Sequence, residues 1–182
     1  QSILFYDICY NTPTNNRLNK RLVMKNCTLH AAGWVLVGMV LMGLIVWFTM
    51  PSLMLIKHQS NQSYDDTVTA LSESLKMKQG WKVLKVNDYQ KATAQFSPIE
   101  RASSMSICNP RYASNILADD ANRGVTAFMP LAIGVYEDKK GQVYVSQLNV
   151  GLMGMMFGGT IAEVMGMAGN DLNEVIASVV AK

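Results

Sequence analysis

No Asp, Glu, Lys or Arg occurs between residues 31 and 56, and charged residues make up only 16% of the 182-residue chain, against roughly 25% in an ordinary soluble domain. Cysteine is scarce, at 3 residues. Cys9 and Cys27 precede the uncharged run and Cys108 follows it, so a disulfide framework inside one domain is excluded. A basic face is missing too. Residues 57–182 carry 12 Lys and Arg against 12 Asp and Glu, and the formal +3 belongs to Arg17, Lys20, Arg21 and Lys25 against Asp7. That balance argues against a nucleic-acid partner, and 49% hydrophobic residues argue against a disordered chain. The chain has no GxSxG, Walker loop, HExxH, CxxC, CxxCH or GxGxxG, so hydrolase, ATPase, haem and nicotinamide chemistry have no support and no catalytic residue is assigned.

What is there begins with Ala31–Met50, AAGWVLVGMVLMGLIVWFTM. At about 1.5 Å per residue its 20 residues span a hydrocarbon core roughly 30 Å thick. Backbone groups inside lipid must be satisfied within the segment, so the run is expected to be a transmembrane helix. Trp34 and Trp47 lie near its ends, where indole rings favour the headgroup zone, and Pro51 is expected to end it. The run is longer than a signal-peptide core and no small-x-small cleavage site precedes the folded part. Four basic residues lie on its N-terminal side; on the other side stands Lys57, followed by Asp65 and Asp66. The positive-inside rule then keeps the N-terminus cytoplasmic and sends residues 57–182 across a bacterial inner membrane into the periplasm. Three divisions follow: 1–30 as a cytoplasmic tail (1–23 as flexible chain or an over-extended reading frame before Met24), 31–50 as the anchor, and 53–182 as an exported domain.

In the exported part, Leu53–Gln59 reads as a first strand. Ser63 with Asp66 imitates a capping box, and Val68, Leu71 and Leu75 form one apolar stripe, which predicts a helix over 64–79 that closes near Gly80. Strands are expected at Trp81–Val86, Ala102–Cys108, Val125–Tyr136 and Gln142–Leu148, the last two joined by a hairpin with Gly141 at positive φ. Asp88 caps a short helix, and Asn109-Pro110 opens another that runs to about Leu117. A Gly- and Met-rich stretch from Gly151 to Gly169 leads to a helix over Asp171–Ala181 capped by Asn170. Hairpins among alternating strands and helices favour an α+β fold.

Several short motifs occur in order: Tyr64-Asp65-Asp66-Thr67-Val68, Gly80-Trp81-Lys82-Val83, Cys108-Asn109-Pro110-Arg111-Tyr112-Ala113, Phe128-Met129-Pro130-Leu131, Val135-Tyr136-Glu137-Asp138 and Tyr144-Val145-Ser146. Over Met54 to about Asn149 this set resembles the bacterial and archaeal family catalogued as domain of unknown function 302. The resemblance implies a single twisted, mainly antiparallel sheet with helices on one face, and a homodimer. It implies no reaction and carries over no catalytic residue. Many members have a second cysteine just after the proline that matches Pro130; here that residue is Leu131, which puts a two-thiol site in doubt.

Cys108 is the residue most suited to chemistry. It ends a strand just before a helix N-terminus, where unpaired N–H groups favour a thiolate; the alternative is a cysteine packed as a small apolar residue. With Asn109, Met153 and Met156 it forms the candidate ligand or thiol site. Met153, Met155, Met156, Met165 and Met167 fall close together, and thioethers suit Cu(I), although Met equally fills irregular core gaps. Gly154-x-x-x-Gly158 allows close helix contact, and residues 151–169, with Glu163 as their one charge, suit either packing or a membrane interface. His30 and His58 read as interfacial polar residues. Two functions stand: a membrane-anchored periplasmic binding or interaction module without catalysis, or a thiol- or copper-dependent redox or metal-handling protein using Cys108 and the methionines.

Overall fold

The computed structural model describes the backbone of residues 17–181, and side chains at 30 and 32–181. The expectations for residues 1–16, Cys9 included, lie outside the described residues. The chain divides into two compact units, Gln1–Met50 and Pro51–Lys182.

The first helix, α1 (Arg17–Met54), contains Ala32–Met54, the one stretch of membrane-spanning length and composition among the described residues. It is consistent with a membrane anchor. Pro51 lies inside α1 and does not end it. A proline at that position removes only the bond to the carbonyl of Trp47, four residues back. The last carbonyls are then held from elsewhere: the Asn149 side-chain amide donates to Leu53 O at 3.1 Å, and its backbone N–H donates to Met54 O at 2.8 Å. Terminal carbonyls with such partners need no further turn, so the first strand starts at Leu55 and not at Leu53.

The second unit is a mixed α+β fold. Its elements are β1 (Leu55–Ser60), α2 (Tyr64–Met77), β2 (Lys82–Asp88), α3 (Tyr89–Thr93), β3 (Ala102–Cys108), α4 (Pro110–Leu117), a 3-10 helix (Asp120–Phe128), β4 (Leu131–Glu137), β5 (Val143–Leu148), α5 (Val150–Phe157) and α6 (Gly159–Val180). The strands form one sheet in the order β1-β5-β4-β3-β2, every pair antiparallel. Alternation decides which face is covered. Met105 and Ile107 of β3, Ile133 and Val135 of β4, and Val143 and Val145 of β5 are buried. They meet Leu71 and Leu75 of α2 and Leu172, Val175, Ile176 and Val179 of α6 in one core. Full burial of such a side chain contributes about 1.5–3 kcal/mol.

Several local expectations match these elements. Ser63 Oγ accepts from Asp66 N at 3.3 Å and donates to Asp66 Oδ2 at 2.6 Å, closing the N-terminus of α2. Asp88 and Asn109 cap α3 and α4. Gly141 turns the β4–β5 hairpin at φ 77°.

Two further expectations need correction. Val125–Tyr136 is not one strand: its first part belongs to the 3-10 helix, which Asp119 caps by accepting from Ala121 N at 2.9 Å. Val125, Thr126 and Phe128 suit a strand locally, but Pro130 has no N–H for a ladder, and Val125 is buried against the core. Nor does Asn170 cap a helix, since α6 already starts at Gly159. Glycine lowers helix propensity, yet here it permits contact between helices. A Cβ at Gly154 of α5 would stand 2.6 Å from Met165 Cβ, and one at Gly169 of α6 would stand 3.2 Å from Gly151 N. Gly158 caps α5 at φ 72° with nothing near it, so Gly154 makes the close contact without Gly158.

This packing predicts opposite signs for two alanine substitutions. Gly154→Ala is expected to destabilise the folded unit by about 1–3 kcal/mol through overpacking. Gly166→Ala, in open space on the same helix pair, is expected to stabilise it by roughly 0.5–1 kcal/mol. Thermal unfolding of the full chain in lipid nanodiscs, followed by near-UV circular dichroism, checks both.

Candidate functional site

An apolar cavity opens between the end of β3, α4, the 3-10 helix and α6. About 50 Å³ of it is open to the centre of a water-sized sphere. Trp81, Cys108, Tyr112, Phe128, Leu131 and Met165 are among its lining residues, and none of the lining residues is charged.

Its walls follow from short local rules. Lys78 O accepts from Trp81 N at 3.1 Å, closing a turn whose third residue is Gly80, at φ 81°. That position of a type II turn requires positive φ, hence glycine. The turn sends Trp81 inward, where it is 5% exposed. Asn109, also buried, accepts from Arg111 N at 3.1 Å and Tyr112 N at 3.4 Å through Oδ1, which starts α4 and aims Tyr112 at the cavity. A Cβ at Gly80 would lie 2.9 Å from Asn109 Nδ2, so turn and cap fit only as a pair.

One carboxylate joins these parts. Asp171 Oδ2 accepts from Trp81 Nε1 at 3.0 Å and from the Tyr112 hydroxyl at 3.0 Å, while Oδ1 stands 3.1 Å from Lys78 Nζ. Lys78 also reaches Glu174 at 2.5 Å. The Trp81 and Tyr112 rings meet edge to face at 6.1 Å, a favoured aromatic geometry. Burial alone would push the Asp171 carboxyl up; the donors Trp81, Lys78 and Tyr112 outweigh it and hold the group below the usual carboxylate range. Burial, then the bond to Asp171, raises Tyr112, so its hydroxyl stays a donor. Lys78 is held above its ordinary value by Glu174 first and Asp171 second. An acid so engaged braces a wall and is not poised to transfer a proton.

The expected site residues separate. Cys108, half-buried, and Asn109 line the cavity. Met153 and Met156 do not: Met153 packs into the core, and Met156 is 68% exposed. The methionines that share the cavity with Cys108 are Met129 and Met165. Leu131 lines it as well, pairing through its strand with Ile107. Among the described residues no group of three or more His, Cys, Asp or Glu could hold a metal ion, and nothing supports a copper site at Cys108. Trp34 and Trp47 are exposed along α1, 69% and 77%. Asp171 was not singled out by sequence reasoning, although a signal existed. It stands three residues after Ala168 and four before Val175, on the apolar stripe of α6, where a carboxylate needs buried partners.

Two further clefts are polar. One holds Arg101, which is engaged with Asp65 and stacked 4.1 Å over the Tyr64 ring. The other holds Gln147, whose Nε2 donates to Asn173 Oδ1 at 2.6 Å.

Residues 56–179 match the family described as "Domain of unknown function DUF302". The chain belongs to this DUF302 family. No curated protein matches it. Among solved structures it is similar to an uncharacterized conserved DUF302 protein from Bacillus stearothermophilus, with a TM-score of 0.62 and 20% identity over 70% of this chain and 99% of that one. At that identity the likeness shows the fold alone. The DUF302 domain here therefore has the family's α+β sheet, follows a helix of membrane-spanning length, and carries a single thiol among its described residues.

The Asp171 network predicts an acid-sensitive wall. Because its folded pKa lies below the unfolded value of about 3.9, the stabilisation is fully present above that pH and is lost as pH falls through the folded value. Asp171→Asn is expected to cost about 1–3 kcal/mol at neutral pH and to flatten the fall in melting temperature below pH 4. Thermal unfolding of both proteins across pH 2–7 checks this.

Proposed function

We propose that the protein is a membrane-tethered binding module without catalysis, which receives a small apolar group in the cavity beside Cys108. In this reading α1 crosses a bacterial inner membrane once, with its N-terminus in the cytoplasm and the DUF302 domain in the periplasm. The excess of basic residues before α1 supports that orientation. The observation that carries the binding reading is the cavity's chemistry: a concave wall of aromatic, aliphatic and thioether groups with no charge on it. Binding sites for small molecules are mostly apolar and largely pre-formed, and the Asp171 network braces this one. Its polar groups face one another, which leaves no free acid-base pair.

The thiol reading rests on one fact, that Cys108 lies on the same wall. A reagent that enters the cavity meets that thiol, so the occupant and the thiol are linked in either reading. A second copy of the chain is the partner this reading carries, on the sheet face away from the helices. There Ser104, Gly134 and Ser146 stand in register across three strands and present small uncharged groups.

Hexanol is a suitable probe. In the full chain in nanodiscs, with methionine methyls carrying carbon-13, hexanol is expected to shift the Met129 and Met165 signals saturably and to leave Met77 unmoved. Ala113→Phe, which fills the cavity, is expected to weaken that response at least tenfold. Shifts that never saturate, or that survive Ala113→Phe, overturn the binding reading.

A further inference from the structure

Hydrophobic side chains on a folded surface are unremarkable singly, but a contiguous group marks a contact. Such a group sits on α5. Met155, Met156 and Phe157 are 67%, 68% and 49% exposed, and Phe128 beside them is 42% exposed. Phe157 and Phe128 meet edge to face at 5.8 Å, which joins the helix end to the cavity rim. Between Val150 and Asn170 the chain has one charged residue, Glu163.

Place decides what covers this group. Asn149, which caps α5 by accepting from Leu152 N at 3.1 Å, is the same residue that donates to Leu53 O and Met54 O. The start of α5 is thus hydrogen-bonded to the last residues of the membrane-length helix. Eight residues at about 1.5 Å each extend only roughly 12 Å from that point. A bilayer holding Ala32–Met54 ends beside residues 53–54, so a short helix with no charge and three large exposed apolar side chains starts at the lipid surface itself.

The geometry points to α5 as an interfacial helix that rests Met155, Met156 and Phe157 in the bilayer the chain is anchored in. A helix with these features gains by placing its apolar side chains at the boundary of headgroups and acyl chains. Methionine suits such a surface, because its unbranched thioether adapts to irregular neighbours. Glu163, on the first turns of α6, stays exposed and reaches the headgroup zone. Phe128, which packs on Phe157, lies beside the docked helix. This inference rests on the anchored reading of α1 and goes beyond the binding reading of the cavity.

Brominated phosphatidylcholine quenches only indoles that reach its acyl chains. The full chain in nanodiscs of this lipid is compared with Met156→Trp and with Met77→Trp, an indole at a still more exposed methionine on α2. Difference emission against the parent isolates the added indole, and Phe157→Trp replaces Met156→Trp if near-UV circular dichroism shows that variant unfolded. The expected result is at least twofold stronger quenching at 156 than at 77. Equal quenching at the two sites overturns the inference, as does a protected indole at 156 caused by a second copy or another protein lying on α5. Native Trp34 and Trp47 report separately. If they escape quenching, the anchored reading fails; if they are quenched and position 156 is not, only the docking of α5 fails.

Discussion

The Asp171 carboxylate is the point on which the cavity end of the DUF302 domain depends. It stands on α6 and receives the Trp81 indole, the Tyr112 hydroxyl and the Lys78 ammonium. Those three groups come from separate parts of the chain: the end of α2, the turn into β2, and α4. Removing such a partly buried acceptor leaves the Trp81 and Tyr112 donors without their partner, which is costlier than the bonds' net contribution. The network therefore specifies one arrangement of three elements around a cavity that apolar packing alone would leave free to collapse.

Small residues set the other distances. Gly80 yields the space that Asn109 occupies, and Gly154 and Gly169 let α5 and α6 approach until backbone meets side chain. The same glycines that make residues 151–169 look pliable in sequence are thus the reason that region packs. Close packing transmits small changes in volume directly, so α5 is a well-placed part of the fold with one face committed to α6 and the other left open.

That open face, the cap at Asn149 and the cavity rim at Phe128 all belong to the second unit. In the proposed anchored reading, a tether confines the domain to a thin layer beside the bilayer, which raises its effective concentration for anything held in or near that layer. An apolar cavity is well matched to such a position, since an apolar ligand is found mostly in lipid. DUF302 membership supplies the scaffold for this; the site has to be argued from its own side chains.

Much of this protein was determined by its sequence alone. The uncharged run before Pro51, the Ser63, Asp88 and Asn109 caps, the apolar stripe of α2 and the turn glycines all rest on interactions within a few residues, so they could be read in one dimension. The α+β class and the position of Cys108 at a strand end followed from the same local rules. Only the tertiary structure decided the rest. It ended α1 at Met54 and not at Pro51, where Asn149, 96 residues from Leu53, holds the last carbonyls. It turned Val125 and its neighbours into a 3-10 helix, started α6 at Gly159, and sent Met153 and Met156 in opposite directions. It also gathered Trp81, Tyr112 and Lys78 onto Asp171. Each of these outcomes depends on partners distant in the chain, and no local propensity records which distant groups will share a buried space.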